Sequence, residues 1–227
     1  MILAVTAGKG GVGKSTVAYN LGAELDAVVI DADLGMADLP ATRGPDLHDV
    51  LAGRAATLEA VREEGPVDLL PCGRSLAGAR AAEPAALAET VDAVAAAYDR
   101  VVIDSPAGLR SDAGLPLHAA DACLLVTQPT RPALADALRA RELARVIDTP
   151  LARIALNRVH PDRFDAGDQR VDRIASTLDG PVTRIPDSAA VARAQRSGQP
   201  VRRIAPGSRP AEQFAELASL ARRAVEA

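Results

Sequence analysis

The stretch Thr6–Val17, TAGKGGVGKSTV, constrains the fold more than any other part of the chain. It joins a short apolar run, ILAVT at 2–6, to a segment of helical character at 14–25. An apolar run that stops at glycines reads as a buried strand. Residues 8–15, GKGGVGKS, fit the spacing G-x-x-x-x-G-K-[ST]. Between a strand and a helix, that spacing has a physical meaning. Glycines let the backbone approach an anion closely, and successive N–H groups cradle phosphate oxygens at the helix N-terminus. Lys14 is then placed to reach the outer phosphates, and the Ser15 hydroxyl to ligate magnesium.

The rest of the chain repeats the strand–helix alternation. AVVID (27–31), VDLLP (67–71), RVVID (100–104), ACLLVT (122–127), LARIALN (151–157) and VTRIP (182–186) read as further strands. Alanine-rich helical stretches lie near 84–97, 131–147, 167–179, 188–197 and 211–226. Continuous apolar strands separated by helices predict a mostly parallel central sheet covered on both faces. No linker or repeat interrupts the pattern, so the expectation is an α/β fold in one doubly wound domain spanning residues 1–227. In such a sheet, ligands bind beyond the carboxyl ends of the strands. Asp31, Asp33, Asp104, Asn157, Pro186 and Asp187 stand at those ends.

Lysine usage sharpens the reading. Lys9 and Lys14 are the only lysines among 26 basic residues, and both lie in the glycine loop. A compact ammonium on a flexible stem fits inside a phosphate-wrapping loop, where a planar guanidinium does not. Lys14 belongs to the general motif and Lys9 does not. Charge is also uneven along the chain. Residues 1–127 carry 9 basic and 18 acidic side chains, whereas residues 128–227 carry 17 and 12. Arg193, Arg196, Arg202, Arg203 and Arg209 form a block without an acid, either a solvated face or a footprint for an anionic partner.

Five segments carry a family resemblance. KGGVGKST resembles the deviant Walker A loop of the MinD/ParA family of P-loop ATPases, and VVIDADLGMADL (28–39) resembles its switch I. RVVIDSPAGL (100–109) is similar to the MinD switch II segment, LNR (156–158) to the adenine-side segment, and IPDSAAVARAQRSGQPV (185–201) to the segment closing over the base. The resemblance implies ATP and Mg2+ as cofactors, slow ATP hydrolysis, and a homodimer formed in the ATP state. It implies that Gly8, Lys9, Gly10, Gly11, Val12, Gly13, Lys14, Ser15 and Thr16 wrap the phosphates. Lys9 would cross a dimer interface to the partner's nucleotide. Asp33 would orient the attacking water, with Lys9, Lys14 and Asp33 as the catalytic set. Ser15, Asp31, Asp33 and Asp104 would serve the magnesium shell. Gly108 would sense the γ-phosphate through its N–H, and Asn157, Arg158, Pro186 and Asp187 would contact the base. Both Asp31 and Asp33 follow an apolar strand on the same side, as phosphoryl transfer requires of groups that neutralise charge and position water.

The departures from the family narrow the function. Division-site MinD proteins end in an added basic amphipathic helix that grips membranes. Here Phe214, Leu217, Ala218, Ala221 and Val225 form one apolar stripe facing a core, and no such helix follows. Ala37 and Asp38 replace the usual Arg-Asn of switch I, and the C-terminal CxxC of iron–sulfur carriers is missing. The expectation is a cytoplasmic, MinD-like positioning or assembly ATPase that recruits a protein partner and does not bind membrane directly. The alternative is a ParA-like ATPase binding DNA non-specifically through its arginine-rich C-terminal half. ATP is expected over GTP, because Asn157 is followed by Arg158, Val159 and His160 and not by the Asp of an N-K-x-D guanine reader. His48, His118, His160, Cys72 and Cys123 match no ligand spacing and read as surface or packing residues.

Overall fold

The computed structural model describes residues 1–35, 39, 43–108, 112–160 and 168–226. Ala37, Asp38 and Leu109, which entered the switch I and switch II readings, lie outside the described residues. The strands are β1 (Ile2–Thr6), β2 (Val28–Asp31), β3 (Leu69–Leu70), β4 (Val101–Asp104), β5 (Ala122–Thr127), β6 (Leu151–Val159) and β7 (Val182–Pro186). The helices are α1 (Lys14–Leu25), α2 (Leu47–Leu51), α3 (Leu76–Ala81), α4 (Leu87–Tyr98), α5 (Gly114–His118) and α6 (Arg131–Val146). They continue with α7 (Gln169–Leu178), α8 (Ala189–Arg196), α9 (Val201–Ile204) and α10 (Arg209–Val225).

The seven strands form one sheet in the order β3-β2-β4-β1-β5-β6-β7, and every paired strand runs parallel to its neighbour. Parallel strands need crossovers, and the helices supply them on both faces. Side-chain alternation decides which face each residue serves. On β4, Val102 joins the core beneath α1 and α10, while Val101 and Ile103 join the core beneath α2 and α4. Beyond β1, Leu125, Ile154 and Leu156 pack against α6 and α7. The apolar stripe of α10 is spent in this way: Phe214, Leu217, Ala218 and Ala221 are buried. Fully burying Phe214 and Leu217 contributes about 1.5–3 kcal/mol each.

Several helices turn back to the sheet through an aspartate. Asp26, Asp99 and Asp179 follow α1, α4 and α7 with φ of 54, 60 and 51 degrees. Aspartate tolerates this left-handed geometry better than most side chains, and it stops each helix a few residues before the next strand. The topological consequence is a crevice. The chain leaves β1 toward β2 on one side and later continues from β4 to β5 on the other, so the carboxyl end of β1 lies at the switch point.

Candidate functional site: the glycine loop and its cavity

The loop after β1 sits at that crevice. Gly11 and Gly13 adopt φ of 78 and 97 degrees, and α1 begins at Lys14. The first turn of α1 holds no acidic residue and its N-cap, Gly13, has no side chain to cap it. Its free N–H groups and positive dipole end are thus offered to an anion. Lys14 is buried, and its Nζ lies 2.5 Å from Asp104 Oδ1 and 3.5 Å from Ser15 Oγ. Lys9, earlier in the loop, is half-buried.

Two carboxylates lie beneath the loop. Asp31 and Asp104 are register partners across β2 and β4, and both are fully buried. Asp31 Oδ2 and Asp104 Oδ2 find no hydrogen-bond partner among the described residues. Burial, and then the charge of Asp104, push the Asp31 carboxyl up to about 7, against the pull of the Lys14 ammonium. Burial also pushes Asp104 up, while Lys14 and the Ser15 hydroxyl hold it down. Two buried carboxylates with one buried ammonium leave the floor of the site short of positive charge. Orphaned carboxylate oxygens beside a serine hydroxyl are hard donors that fit Mg2+. Among the described residues, no group of three or more His, Cys, Asp or Glu side chains could hold a metal alone.

Asp33 is positioned from below. Its carbonyl accepts the Cys72 thiol at 3.3 Å, and His48 Nε2 lies 3.1 Å from the Leu34 carbonyl and 3.5 Å from Cys72 Sγ. Both side chains are buried, and burial pushes the Cys72 thiol well above its ordinary range. They are packing residues, but they pack under the segment that carries Asp33.

A cavity of about 620 Å³ opens above these groups, large enough for a nucleotide. Lys9, Gly10, Gly11, Gly13, Lys14, Ser15 and Thr16 line it from the loop, and Asp33 and Arg158 line it from the ends of β2 and β6. Other residues named from the sequence stand off its wall. Gly8 packs so tightly on the backbone of Asp136 in α6 that no Cβ fits there. Val12, Asp31 and Asp104 are buried beneath it. The Gly108 N–H donates to the Ala7 carbonyl at 3.1 Å, and the Asp187 N–H donates to the Val159 carbonyl at 2.9 Å, which draws Pro186–Asp187 toward β6. Asn157 is buried and gives its amide to the Val12 carbonyl at 2.8 Å.

The far wall is part of the 185–201 stretch that resembles the family's base-closing segment. Gly198 and Gln199 line it with Gln195 and Arg196. Tyr19 and Asn20 of α1 fasten this stretch: the Tyr19 hydroxyl donates to the Gly198 carbonyl at 2.9 Å, and Asn20 Oδ1 accepts the Val201 N–H at 2.8 Å. A polar Tyr-Asn pair inside an apolar helix was the sequence signal for them.

A glycine loop leading from the central strand of a parallel sheet into a helix, with a buried lysine–aspartate pair beside it, defines an α/β protein of the phosphate-loop class. The chain belongs to the CobQ/CobB/MinD/ParA nucleotide-binding family, whose nucleotide-binding-domain model matches residues 3–201. It is 33% identical over 232 residues to an uncharacterized ATP-binding protein of Methanocaldococcus jannaschii, covering 97% of this chain and 87% of that one. It is 30% identical over 235 residues to the septum site-determining protein MinD of Thermotoga maritima, covering 96% and 86%. Its fold is similar to the crystal structure of the cell division ATPase MinD of Pyrococcus furiosus, with a TM-score of 0.88, 28% identity and 98% of each chain covered. The MinD of Pyrococcus horikoshii, solved as a complex with Mg-ADP, matches with a TM-score of 0.86 and 28% identity over 96% and 93% of the two chains.

Proposed function

We propose that this protein is a MinD-like ATPase that binds Mg-ATP in the cavity, hydrolyses it slowly, and uses the ATP state to pair with a second copy and recruit a protein partner. The observation that carries the reading is the joint placement of Lys9, Lys14, Ser15 and Asp33 on one cavity wall, above Asp31 and Asp104. The Mg-ADP complex of the Pyrococcus horikoshii relative and the family's nucleotide-binding description support ATP and Mg2+ as its ligands.

Each residue has a part that its position supports. Lys14 leans on Asp104 and offers its remaining N–H donors to the outer phosphates. Ser15, Asp31 and Asp104 would supply hard oxygens to hold Mg2+. Bound Mg2+ would supply positive charge to the phosphoryl oxygens during transfer. Asp33, held by its carbonyl on Cys72, projects a carboxylate to orient the attacking water. Lys9 lines the cavity and has no carboxylate within ion-pair distance among the described residues, which leaves its ammonium for phosphate charge on an apposed copy. Asp33→Ala should keep MgATP binding within about threefold and lose at least about tenfold in turnover. Nucleotide titration and phosphate release measure both, and parental turnover in Asp33→Ala would sink its assignment.

Partition-type DNA binding is the second reading. Arg193, Arg196, Arg202, Arg203 and Arg209 are all solvent-exposed, and among the described residues only Arg202 of these approaches an acid, Glu24 at 4.0 Å. ATP-dependent DNA binding that weakens steeply with salt would favour it. Direct membrane attachment is not proposed: among the described residues no helix is long and apolar enough to cross a membrane, and the stripe of α10 is committed to the core.

A further inference from the structure

Two side-chain amides grip the glycine loop from outside its motif. The Asn157 amide donates to the Val12 carbonyl at 2.8 Å, and the Gln128 amide donates to the Gly11 carbonyl at 3.3 Å. Gln128 directly follows β5, and Asn157 lies near the end of β6, its neighbour in the sheet. Peptide geometry makes these contacts specific. In a trans peptide, the C=O of one residue and the N–H of the next share a plane and point in opposite directions. Holding the Gly11 carbonyl therefore aims the Val12 N–H, and holding the Val12 carbonyl aims the Gly13 N–H. Both peptide units point their N–H groups away from the gripping amides.

The loop needs such a restraint. Glycines at φ of 78 and 97 degrees pay no steric penalty there, but they are also free to leave. Among the described residues, the N–H groups of Gly10, Gly11, Val12 and Gly13 donate to no protein acceptor. Gly13 shows how closely Asn157 presses, because a Cβ there would strike the Asn157 amide nitrogen. Asn157 itself stands off the cavity wall.

We infer that Gln128 and Asn157 are positioning residues for phosphate capture: by fixing two consecutive peptide planes they aim the Val12 and Gly13 N–H groups at the anion. The inference deepens the nucleotide-binding reading and rests on it. It moves the main action of Asn157 from the base to the phosphates, and it adds Gln128, which no motif contains.

The test separates phosphate from base. Dissociation constants for MgADP, for tripolyphosphate, and for ATP against GTP are measured calorimetrically on the whole chain and two variants. Asn157→Leu keeps the approximate shape, removes the donor and introduces no charge. It should weaken MgADP and tripolyphosphate together by at least about tenfold, with the ATP-over-GTP ratio unchanged. Gln128→Ala removes a partly exposed side chain with no core role, and should weaken both by about two- to fivefold. An Asn157→Leu variant that binds tripolyphosphate like the parent but loses ATP-over-GTP preference overturns the inference and makes Asn157 a base reader. If Asn157→Leu does not fold, unchanged tripolyphosphate affinity in Gln128→Ala overturns it alone. A parent chain that binds neither probe brings down the nucleotide reading itself, and the inference with it.

Discussion

The two halves of the sheet that flank β1 end in opposite chemistry. On one side, β2 and β4 end in Asp31 and Asp104, both buried, each with an oxygen that meets no protein donor among the described residues. On the other, β5 and β6 present Gln128 and Asn157, whose amides are already bonded to the glycine loop. The carboxylate half carries charge that its surroundings do not balance, so its energy falls when a cation, a proton or Mg2+ arrives. The amide half is complete in itself and fixes shape. The first half should therefore respond strongly to charge, and the second should respond to geometry alone.

Lys14→Ala gives the largest expected effect. It strips Asp104 of its ammonium inside the protein, and removing one partner of a buried pair costs about 3–5 kcal/mol. It also removes a donor to the outer phosphates, so MgADP affinity should fall at least about 100-fold. Thermal melting and nucleotide titration check the two parts. A variant that melts with the parent would show that the carboxylate half is not short of charge, and would erase the contrast.

Lys9→Ala comes next and should act elsewhere. Lys9 is half-buried, lines the cavity, and has no carboxylate partner to strand among the described residues. Its loss should leave the melting temperature unchanged and monomer MgADP affinity within about threefold of the parent, while ATP-dependent dimerisation and turnover fall at least about tenfold. Light scattering with a slowly hydrolysed analogue measures the pairing. Normal pairing and turnover would remove Lys9 from the mechanism.

Asp31→Asn tests the charge deficit by pH. The Asp31 carboxyl is raised from its ordinary 3.8 to about 7. The folded chain thus holds a proton that the unfolded chain releases between about pH 4 and 7. Folding is relieved of this group's cost at low pH, loses stability as pH climbs through that window, and levels off above about 7. Asp31→Asn removes the cost. Without nucleotide it should melt at least about 4 °C above the parent at pH 8, by less near pH 5, and level with it only below about pH 4. With MgADP the parent should gain more than the variant. A pH-independent difference would show that Asp31 is not the strained group.

The sequence made the strand ends readable because buried parallel strands are continuous apolar runs that stop abruptly. The runs at 2–6, 100–104, 122–127 and 182–186 became β1, β4, β5 and β7. The run at 67–71 shrank to Leu69–Leu70, since Asp68 and Pro71 bracket it and Leu69 also bridges antiparallel to Arg62. β6 outran its apolar core to Val159, through a register shift and Arg158 at φ 54 degrees. The loop residues and both buried carboxylates were legible because their spacing is local. The amide grips were not. Asn157 and Gln128 reach carbonyls 145 and 117 residues away, and the polar type of a strand-end residue does not say which carbonyl it will meet. The same holds for the link between Tyr19 and Gly198, 179 residues apart.

That link gives the smallest expected effect and the finest test of the comparison. The far wall, Gln195 to Gln199, spans the end of α8 and the turn after it, beyond β7, and so belongs with the half that sets shape. Tyr19 is almost fully buried, and its hydroxyl donates directly to the Gly198 carbonyl at 2.9 Å. Tyr19→Phe keeps the ring in the core beneath α10 and deletes one hydrogen bond. A neutral bond of this kind contributes about 0.5–1.5 kcal/mol, which corresponds to about two- to tenfold in affinity if the wall touches the ligand. Asn20 still pins Val201, so the wall should loosen without leaving. MgADP binding should therefore weaken by no more than about tenfold, tripolyphosphate binding should not change, and Asp31's pH dependence of melting should persist unaltered. Tripolyphosphate affinity that fell in step with MgADP would mean that the far wall acts through the glycine loop, and that charge and shape are not divided between the two halves of the sheet.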